Sequence, residues 1–235
     1  MPVDLLVFGP HPDDIEIGLG ATVAKHAALG YQVGLCDLTR GEIGSNGTPE
    51  ERLAEAEAAR VVLGAAWREN LGWPDRGIGS RDDHLLQAAR LIRRVRPRAI
   101  AIPYWDDRHP DHGAASRVLS EAVFNARLRR YPIDGDPWQA EWVCYYFIND
   151  SAPASFVVDV SDHYEVKRRA LACYRSQFSR TPQDTNAVAT RLTSPRFMQL
   201  IESRDAQFGA LAGVAYAEGV IVKEPIVRES LLKST

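Results

Sequence analysis

Two short clusters of imidazoles and carboxylates each follow an apolar run in this chain. The first lies at residues 9–14, behind the run at 3–8, and the second lies at 108–112, behind the run at 99–103. Such runs are typical of strands buried in a parallel sheet, and ligands bind at the carboxyl edge of such sheets. Histidine nitrogens and carboxylate oxygens bind divalent metals, and a remaining carboxylate can transfer a proton. The pattern therefore predicts a metal-dependent hydrolase.

The first cluster contains His11, Asp13 and Asp14 in the order His-Pro-Asp-Asp. A helix N-terminus is the simpler interpretation, because the helix dipole stabilises aspartate there and proline is common. That interpretation accounts for one aspartate. It does not account for an imidazole and two carboxylates directly behind a buried strand, which favours a functional site.

The second cluster contains His109, Asp111 and His112. The two histidines are three positions apart, which brings both imidazoles to one side of a helical turn. Asp111 is a candidate partner that holds one imidazole in the correct tautomer, as metal-bound histidines require. A capped, polar helix start is the alternative for this cluster alone, but two such clusters behind two strands favour a metal site.

The elements that must position these clusters alternate between strand and helix signals in the first half of the chain. Strands are predicted at 5–8, 33–38 and 98–103, and helices at 15–29, 49–63, 83–95 and 112–127. Strands joined by helices of this length imply βαβ crossovers and a largely parallel sheet. The second half is less regular. Its predicted strands are 142–148, 156–160 and 213–222, and its predicted helices are 166–176 and 196–208.

Together these elements predict an α/β fold with a Rossmann-like sheet, mostly parallel, helices on both faces and a less regular C-terminal part. The sequence contains no low-complexity linker, internal repeat or shift in composition that would mark a boundary. We therefore expect one domain over residues 1–235.

Composition narrows the class of function. Of the 235 residues, 45% are hydrophobic and 25% are charged, as in ordinary globular proteins. A net charge of −3 gives no support for a nucleic-acid partner. No apolar run approaches 18 residues and no targeting segment precedes the first strand, so we expect a cytoplasmic protein with no membrane partner. The three cysteines form no CxxC pair, which argues against a thiolate zinc site.

The two histidine motifs resemble those of the LmbE-like (PIG-L) family of zinc-dependent N-acetylglucosamine deacetylases. The resemblance spans most of the chain, and the segments 38–48, 52–56, 70–78 and 216–219 are similar to its bacillithiol-pathway branch. That branch acts on N-acetyl-glucosaminyl-L-malate. The resemblance therefore implies a small N-acetylated amino-sugar conjugate as substrate, and a homo-oligomer.

The same resemblance implies a role for each residue of the clusters. His11, Asp14 and His112 fall on the metal ligands, which leaves coordination positions open as a catalytic site needs. Asp13 falls on the general base, acting on a water activated by the metal, and His109 on the group that polarises or protonates the reacting amide. Zn²⁺ is the expected cofactor, and Fe²⁺ suits the same ligands.

Substrate contacts are predicted for three further residues. Arg52 and Arg108 can bind sugar hydroxyls or a substrate carboxylate through their forked donors. Arg52 could equally pair with Glu55 on a solvated helix face. Asp75 matches a family position that binds sugar hydroxyls, although residues 74–77 are also a good turn sequence in their own right.

Other functions remain open at this point. Within the same chemistry, the substrate could be free N-acetylglucosamine, a chitin oligosaccharide or a thiol conjugate cleaved by an amidase. A malate group needs cationic partners, so the surroundings of Arg52 and Arg108 distinguish these substrates. A non-catalytic sugar- or nucleotide-binding module is the alternative from another class, suggested by the glycine-rich loop at 41–47. That loop lacks both the G-x-G-x-x-G spacing and a P-loop lysine.

Overall fold

A seven-stranded sheet forms the centre of the structure, a computed structural model that describes residues 2–179 and 188–227. Its strands are Leu5–Gly9 (β1), Val33–Thr39 (β2), Trp67–Trp73 (β3), Ala99–Pro103 (β4), Trp142–Tyr146 (β5), Phe156–Asp159 (β6) and Ala217–Ile221 (β7). The described helices are Asp14–Ala28 (α1), Pro49–Leu63 (α2), Asp82–Val95 (α3), Pro110–Ala126 (α4), Tyr164–Leu171 (α5), Arg175–Phe178 (α6) and Pro195–Ala212 (α7). None of these helices is both long and apolar enough to cross a membrane.

The strand order across the sheet is β3-β2-β1-β4-β5-β7-β6. The first five strands along the chain are parallel, whereas β7 runs antiparallel to both of its neighbours, β5 and β6. This confirms the predicted α/β fold with a mostly parallel sheet and a less regular C-terminal part. Because β1 lies between β2 and β4, the chain connections leave in opposite directions at this point, which is where α/β sheets bind ligands.

Helices cover both faces of the sheet. Residues of β1 alternate between the two layers: Leu5 and Val7 pack with α1, α2, α5 and α7, whereas Leu6 and Phe8 pack with α3 and α4. All four side chains are buried. The continuous apolar run that predicted this strand therefore reflects burial on both faces.

Several predicted boundaries are confirmed and others are wrong. Helix α2 spans the predicted residues 49–63; a capping box at Thr48 fixes its start, and Gly64, whose φ of 73° is left-handed, follows its last residue. The predicted helix 166–176 is wrong, since α5 and α6 are separate and α5 begins earlier. Gly213, placed at the start of the last strand, instead ends α7 with a φ of 77°.

Strand β3 was missed because it lies at the edge of the sheet. Most of its residues are only half-buried, and Arg68, Glu69 and Asn70 interrupt the apolar pattern that marks a buried strand. The side chain of Arg68 pairs with Asp37 of β2 and Glu16 of α1, both of which are buried. Buried carboxylates, rather than solvent, therefore stabilise the charge of Arg68.

Candidate active site

The two histidine clusters meet because β1 and β4 are hydrogen-bonded neighbours in the sheet. Each strand leads at its carboxyl end into one cluster, and each cluster leads into a helix, α1 or α4. The ring centroids of His11 and His112 are 5.7 Å apart, and those of His109 and His112 are 4.7 Å apart. One nitrogen from each of the three rings lies within 4.8 Å of the others, close enough to share a metal ion.

The carboxylate of Asp14 lies between two of these rings. Its Oδ2 atom is 3.0 Å from Nδ1 of His11 and 3.3 Å from Nε2 of His112. It also accepts the backbone N–H of His11, at 2.9 Å. Two imidazole nitrogens and one carboxylate oxygen are a donor set of catalytic zinc sites, in which three protein ligands leave positions open.

The other ring nitrogen of His11, and that of His112, each lies close to a further carboxylate. Nε2 of His11 is 3.2 Å from Oδ1 of Asp75 and 3.3 Å from Oδ2 of Asp111. Nδ1 of His112 is 3.0 Å from Oδ1 of Asp107. Carboxylates in this position fix the tautomer and orientation of metal-binding imidazoles. Both rings are therefore oriented to present their remaining nitrogen to the carboxylate of Asp14.

Asp107 was missed by the sequence analysis. It also accepts the backbone N–H groups of His109, at 2.8 Å, and Asn149, at 2.9 Å, so it ties the β4–α4 loop to the segment after β5. Burial raises the pKa of Asp107, but the hydrogen bond and charge of His112, together with the backbone N–H groups of His109 and Asn149, outweigh burial and lower the pKa to about 2. Its position directly before the second cluster was the one signal in the sequence. Its contact with Asn149 could not be predicted, because the two residues are distant in sequence.

Asp111 orients His11 and not His109. Its carboxylate contacts His11 and accepts a hydrogen bond from Nη1 of Arg76, at 3.0 Å, whereas only its backbone N–H contacts Nδ1 of His109, at 3.2 Å. Burial, followed by the charges of His112 and His11, lowers the pKa of His109 and favours its neutral form. Because Nδ1 accepts a hydrogen bond, the proton of the neutral ring lies on Nε2.

The charge of the cluster favours a bound cation. Burial by itself lowers the pKa of His11, but hydrogen bonds to Asp111, Asp14 and Asp75 raise it well above its usual value. At His112, burial again lowers the pKa, but the charges and hydrogen bonds of Asp14 and Asp107 together outweigh burial and raise the pKa of His112 to about 9. The rings thus hold protons that balance surplus negative charge. A divalent cation balances that charge equally and binds neutral imidazoles, so the residues present fit a metal ion.

Asp13 is in a different environment from the neighbouring Asp14. It is 3% exposed and precedes α1 with a left-handed φ of 108°, a conformation that costs roughly 1–3 kcal/mol outside glycine. Burial raises the pKa of Asp13 to about 7, against the opposing charge of Arg52. A carboxylate with a pKa near the working pH is suited to accept and release a proton.

The structure places Arg52 beside Asp13. Its Nη2 atom donates to the carbonyl of Pro12, at 2.7 Å, and to Oδ2 of Asp13, at 3.2 Å, and its Nη1 atom donates to the carbonyl of Gly41, at 3.0 Å. The alternative of a solvated pair with Glu55 is wrong. Arg52 is only 5% exposed.

These groups line a cleft of about 400 Å³. Its rim includes Arg76, Arg108 and Arg191. Of these, only Arg108 was predicted; Arg191 was missed because nothing near it in sequence marks a site, and Arg76 was taken only as part of a turn. The Nη1 atom of Arg191 donates to Oδ1 of Asn149, at 2.8 Å. Asp75 also lines the cleft, within the turn that its sequence predicted, and it accepts the backbone N–H of Ile43.

Comparison with known proteins identifies the family. Residues 6–123 match the family model described as PIG-L, GlcNAc-PI de-N-acetylase. Diacetylchitobiose deacetylase from Thermococcus kodakarensis is 30% identical over 92% of this chain and 81% of its own length. The 1D-myo-inositol 2-acetamido-2-deoxy-alpha-D-glucopyranoside deacetylase 2 from Saccharopolyspora erythraea is 30% identical over 80% of this chain and 87% of its own length.

A solved structure shares the whole fold. The conserved protein TT1542 from Thermus thermophilus is 38% identical, with a TM-score of 0.88 over 99% of this chain and 100% of that one. The family match, the two similar deacetylases and this shared fold agree with the resemblance seen in the histidine motifs. The chain therefore belongs to the PIG-L family of N-acetylglucosamine-type deacetylases.

Proposed function

We propose that this protein removes the acetyl group from an N-acetylglucosamine conjugate, with N-acetyl-glucosaminyl-L-malate of bacillithiol synthesis as its substrate. The observation that supports the reaction is the position of Oδ2 of Asp14 between nitrogens of His11 and His112. We further propose that residues 1–235 form one deacetylase domain.

His11, Asp14 and His112 are the residues proposed to hold the metal, Zn²⁺ or Fe²⁺. A bound divalent ion would supply Lewis acidity, polarising the acetyl carbonyl and making water more acidic. Asp75, Asp107 and Asp111 orient the two imidazoles from behind.

Asp13 and His109 supply the proton transfers that amide hydrolysis needs. Asp13 lines the cleft and, with a pKa near 7, can take the proton of the attacking water. His109 also lines the cleft, and its Nε2–H can donate to the oxygen of the reacting amide as negative charge develops. The proton held by Asp13 is then available for the leaving amine.

The rim of the cleft supports an anionic group on the substrate. Arg108 and Arg191 are both exposed at this rim. Forked guanidinium donors bind carboxylates through paired hydrogen bonds, and malate offers two carboxylates. Asp75, close to Nε2 of His11, is proposed to bind a sugar hydroxyl. The Nη donors of Arg52 are already bonded to protein oxygens, so Arg108 is the stronger candidate for the malate.

The neutral sugars named for the two similar deacetylases are the competing substrates. Metal-loaded protein should be assayed for amine release from the malate conjugate, diacetylchitobiose, the inositol conjugate and free N-acetylglucosamine. We expect kcat/KM for the malate conjugate to exceed the others by about tenfold or more, since one charge-assisted contact contributes roughly 1.5–3 kcal/mol. Equal values would contradict the malate assignment, and no release from any substrate would contradict the deacetylase assignment.

A further inference from the structure

The guanidinium of Arg52 is enclosed by protein beside the proposed base. Arg52 lies in the first turn of α2, where the capping box between Thr48 and Glu51 fixes the start of the helix. Its two Nη atoms bond to the carbonyls of Pro12 and Gly41 and to the carboxylate of Asp13. These bonds join the loop after β1 to the loop after β2 through one buried side chain.

Asp13 has a conformation that needs such support. Aspartate is a favoured capping residue, yet within the described part of the chain its side chain makes no capping hydrogen bond to α1. The same Nη2 atom of Arg52 instead bonds the carbonyl that precedes Asp13 and the carboxylate of Asp13 itself. The contact therefore restrains both the left-handed backbone and the direction of the carboxylate.

The glycine-rich loop leaves space for this guanidinium. A Cβ atom at Gly41 would lie 1.9 Å from Nη1 of Arg52, and one at Gly44 would lie 3.0 Å from it. Gly41 also has a left-handed φ of 65°. The loop that suggested a nucleotide-binding module thus has a different explanation, since its glycines allow the backbone to pack against Arg52.

We propose that Arg52 is a positioning residue that directs the carboxylate of Asp13 into the cleft, and that Gly41 is needed to seat it. The inference rests on the proposed function for the role of Asp13. It assigns Arg52 an effect on turnover that acts through Asp13.

The first test compares Arg52→Ala with Arg60→Ala in the metal-loaded enzyme. Arg60 is on the same helix, and its side chain bonds Glu57 and the carbonyl of Ala65, away from the cleft. For Arg52→Ala we expect kcat to fall by about 10–100-fold, as for a misplaced catalytic group, with KM within about threefold and metal content unchanged. Added guanidinium should restore part of kcat in Arg52→Ala, and Arg60→Ala should retain wild-type kcat.

The second test uses two glycines with the same backbone strain. Gly41 and Gly72 have φ values of 65° and 64°, but a Cβ at Gly72 comes no closer than 3.7 Å to Arg40. Gly41→Ala should therefore lower kcat as Arg52→Ala does, whereas Gly72→Ala should leave it unchanged. An equal loss in both variants would show backbone strain and overturn the role given to Gly41.

Two results would overturn the role of Arg52. A raised KM with unchanged kcat would make it a substrate-binding residue, and a loss of kcat matched by a lower Tm and not restored by guanidinium would make it merely structural. A crystal structure of metal-loaded Arg52→Ala gives a readout that does not depend on substrate. We expect the Asp13 carboxylate to turn away from its wild-type direction, and an unmoved carboxylate would refute the proposal even if the protein proved not to be a deacetylase.

Discussion

Replacing Asp13 and Asp14 separately by asparagine should separate turnover from metal binding. Oδ2 of Asp14 lies against nitrogens of both His11 and His112, whereas Oδ2 of Asp13 is paired with Arg52. Asparagine keeps the shape of each side chain. It also tolerates the left-handed φ of residue 13 better than alanine, which lacks the short polar side chain that stabilises this conformation.

The expected magnitudes follow from these contacts. Asp14→Asn removes one of three proposed ligands together with its negative charge. Loss of a carboxylate that only orients a ligand costs about 10–100-fold in metal affinity, so loss of the ligand itself should cost at least about 100-fold. Asp13→Asn removes the proposed base and should lower kcat by about 10²–10⁴-fold, with metal affinity within a few-fold of wild type.

The assay combines a metal titration against a competing chelator with amine release at saturating metal. Asp136→Asn is the matched control, because the side chain of Asp136 is 86% exposed and its ion pair with Arg96 is at the surface. It should match wild type in both measurements. Equal loss of metal from Asp13→Asn and Asp14→Asn, or full turnover by Asp13→Asn, would refute the division of roles.

Three further outcomes are expected. Arg108→Ala and Arg191→Ala should each raise KM for the malate conjugate by about tenfold and leave KM for free N-acetylglucosamine unaffected. Arg98→Ala, at the opposite edge of the sheet, is the control in the same kinetic assay and should leave both KM values unchanged. Asp107→Asn should weaken metal binding by about 10–100-fold in the chelator titration without a direct effect on the base. Burial lowers the pKa of His84 from 6.5, so the unfolded chain binds more protons and stability should fall as pH drops below about 6.5; His84→Phe should flatten this part of a Tm–pH profile.

The parts of the site that the sequence predicted are those with local signals. The apolar runs of β1 and β4 and the motifs behind them are continuous in sequence, and parallel strands carry such segments to one edge of the sheet. Helix α2 was equally predictable, because its cap residues and its final glycine act within one turn of the chain.

The parts that were missed depend on contacts between distant residues. Asn149 and Arg191 reach the cleft from the second half of the chain, where no periodic pattern fixed their position. Arg52 was considered for a solvated face because helical spacing relates it to Glu55, but spacing cannot show that the loops after β1 and β2 enclose it. Burial of a charged side chain is decided by tertiary packing, which overrides local pattern.

The left-handed backbone at Asp13 explains how two adjacent aspartates take different roles. Side chains at successive positions of a regular helix start would both sit near the dipole, with similar environments. With a φ of 108° the chain changes direction at Asp13. The carboxylate of Asp13 therefore contacts Arg52, and that of Asp14 contacts the two imidazoles. Burial then raises the pKa of Asp13 to about 7, whereas the imidazoles, by charge and hydrogen bonding, outweigh burial and hold the pKa of Asp14 well below its usual value. A carboxylate that stays ionised is suited to metal binding, and one that titrates near neutral pH is suited to proton transfer. The left-handed backbone at one residue thus gives Asp14 the first role and Asp13 the second.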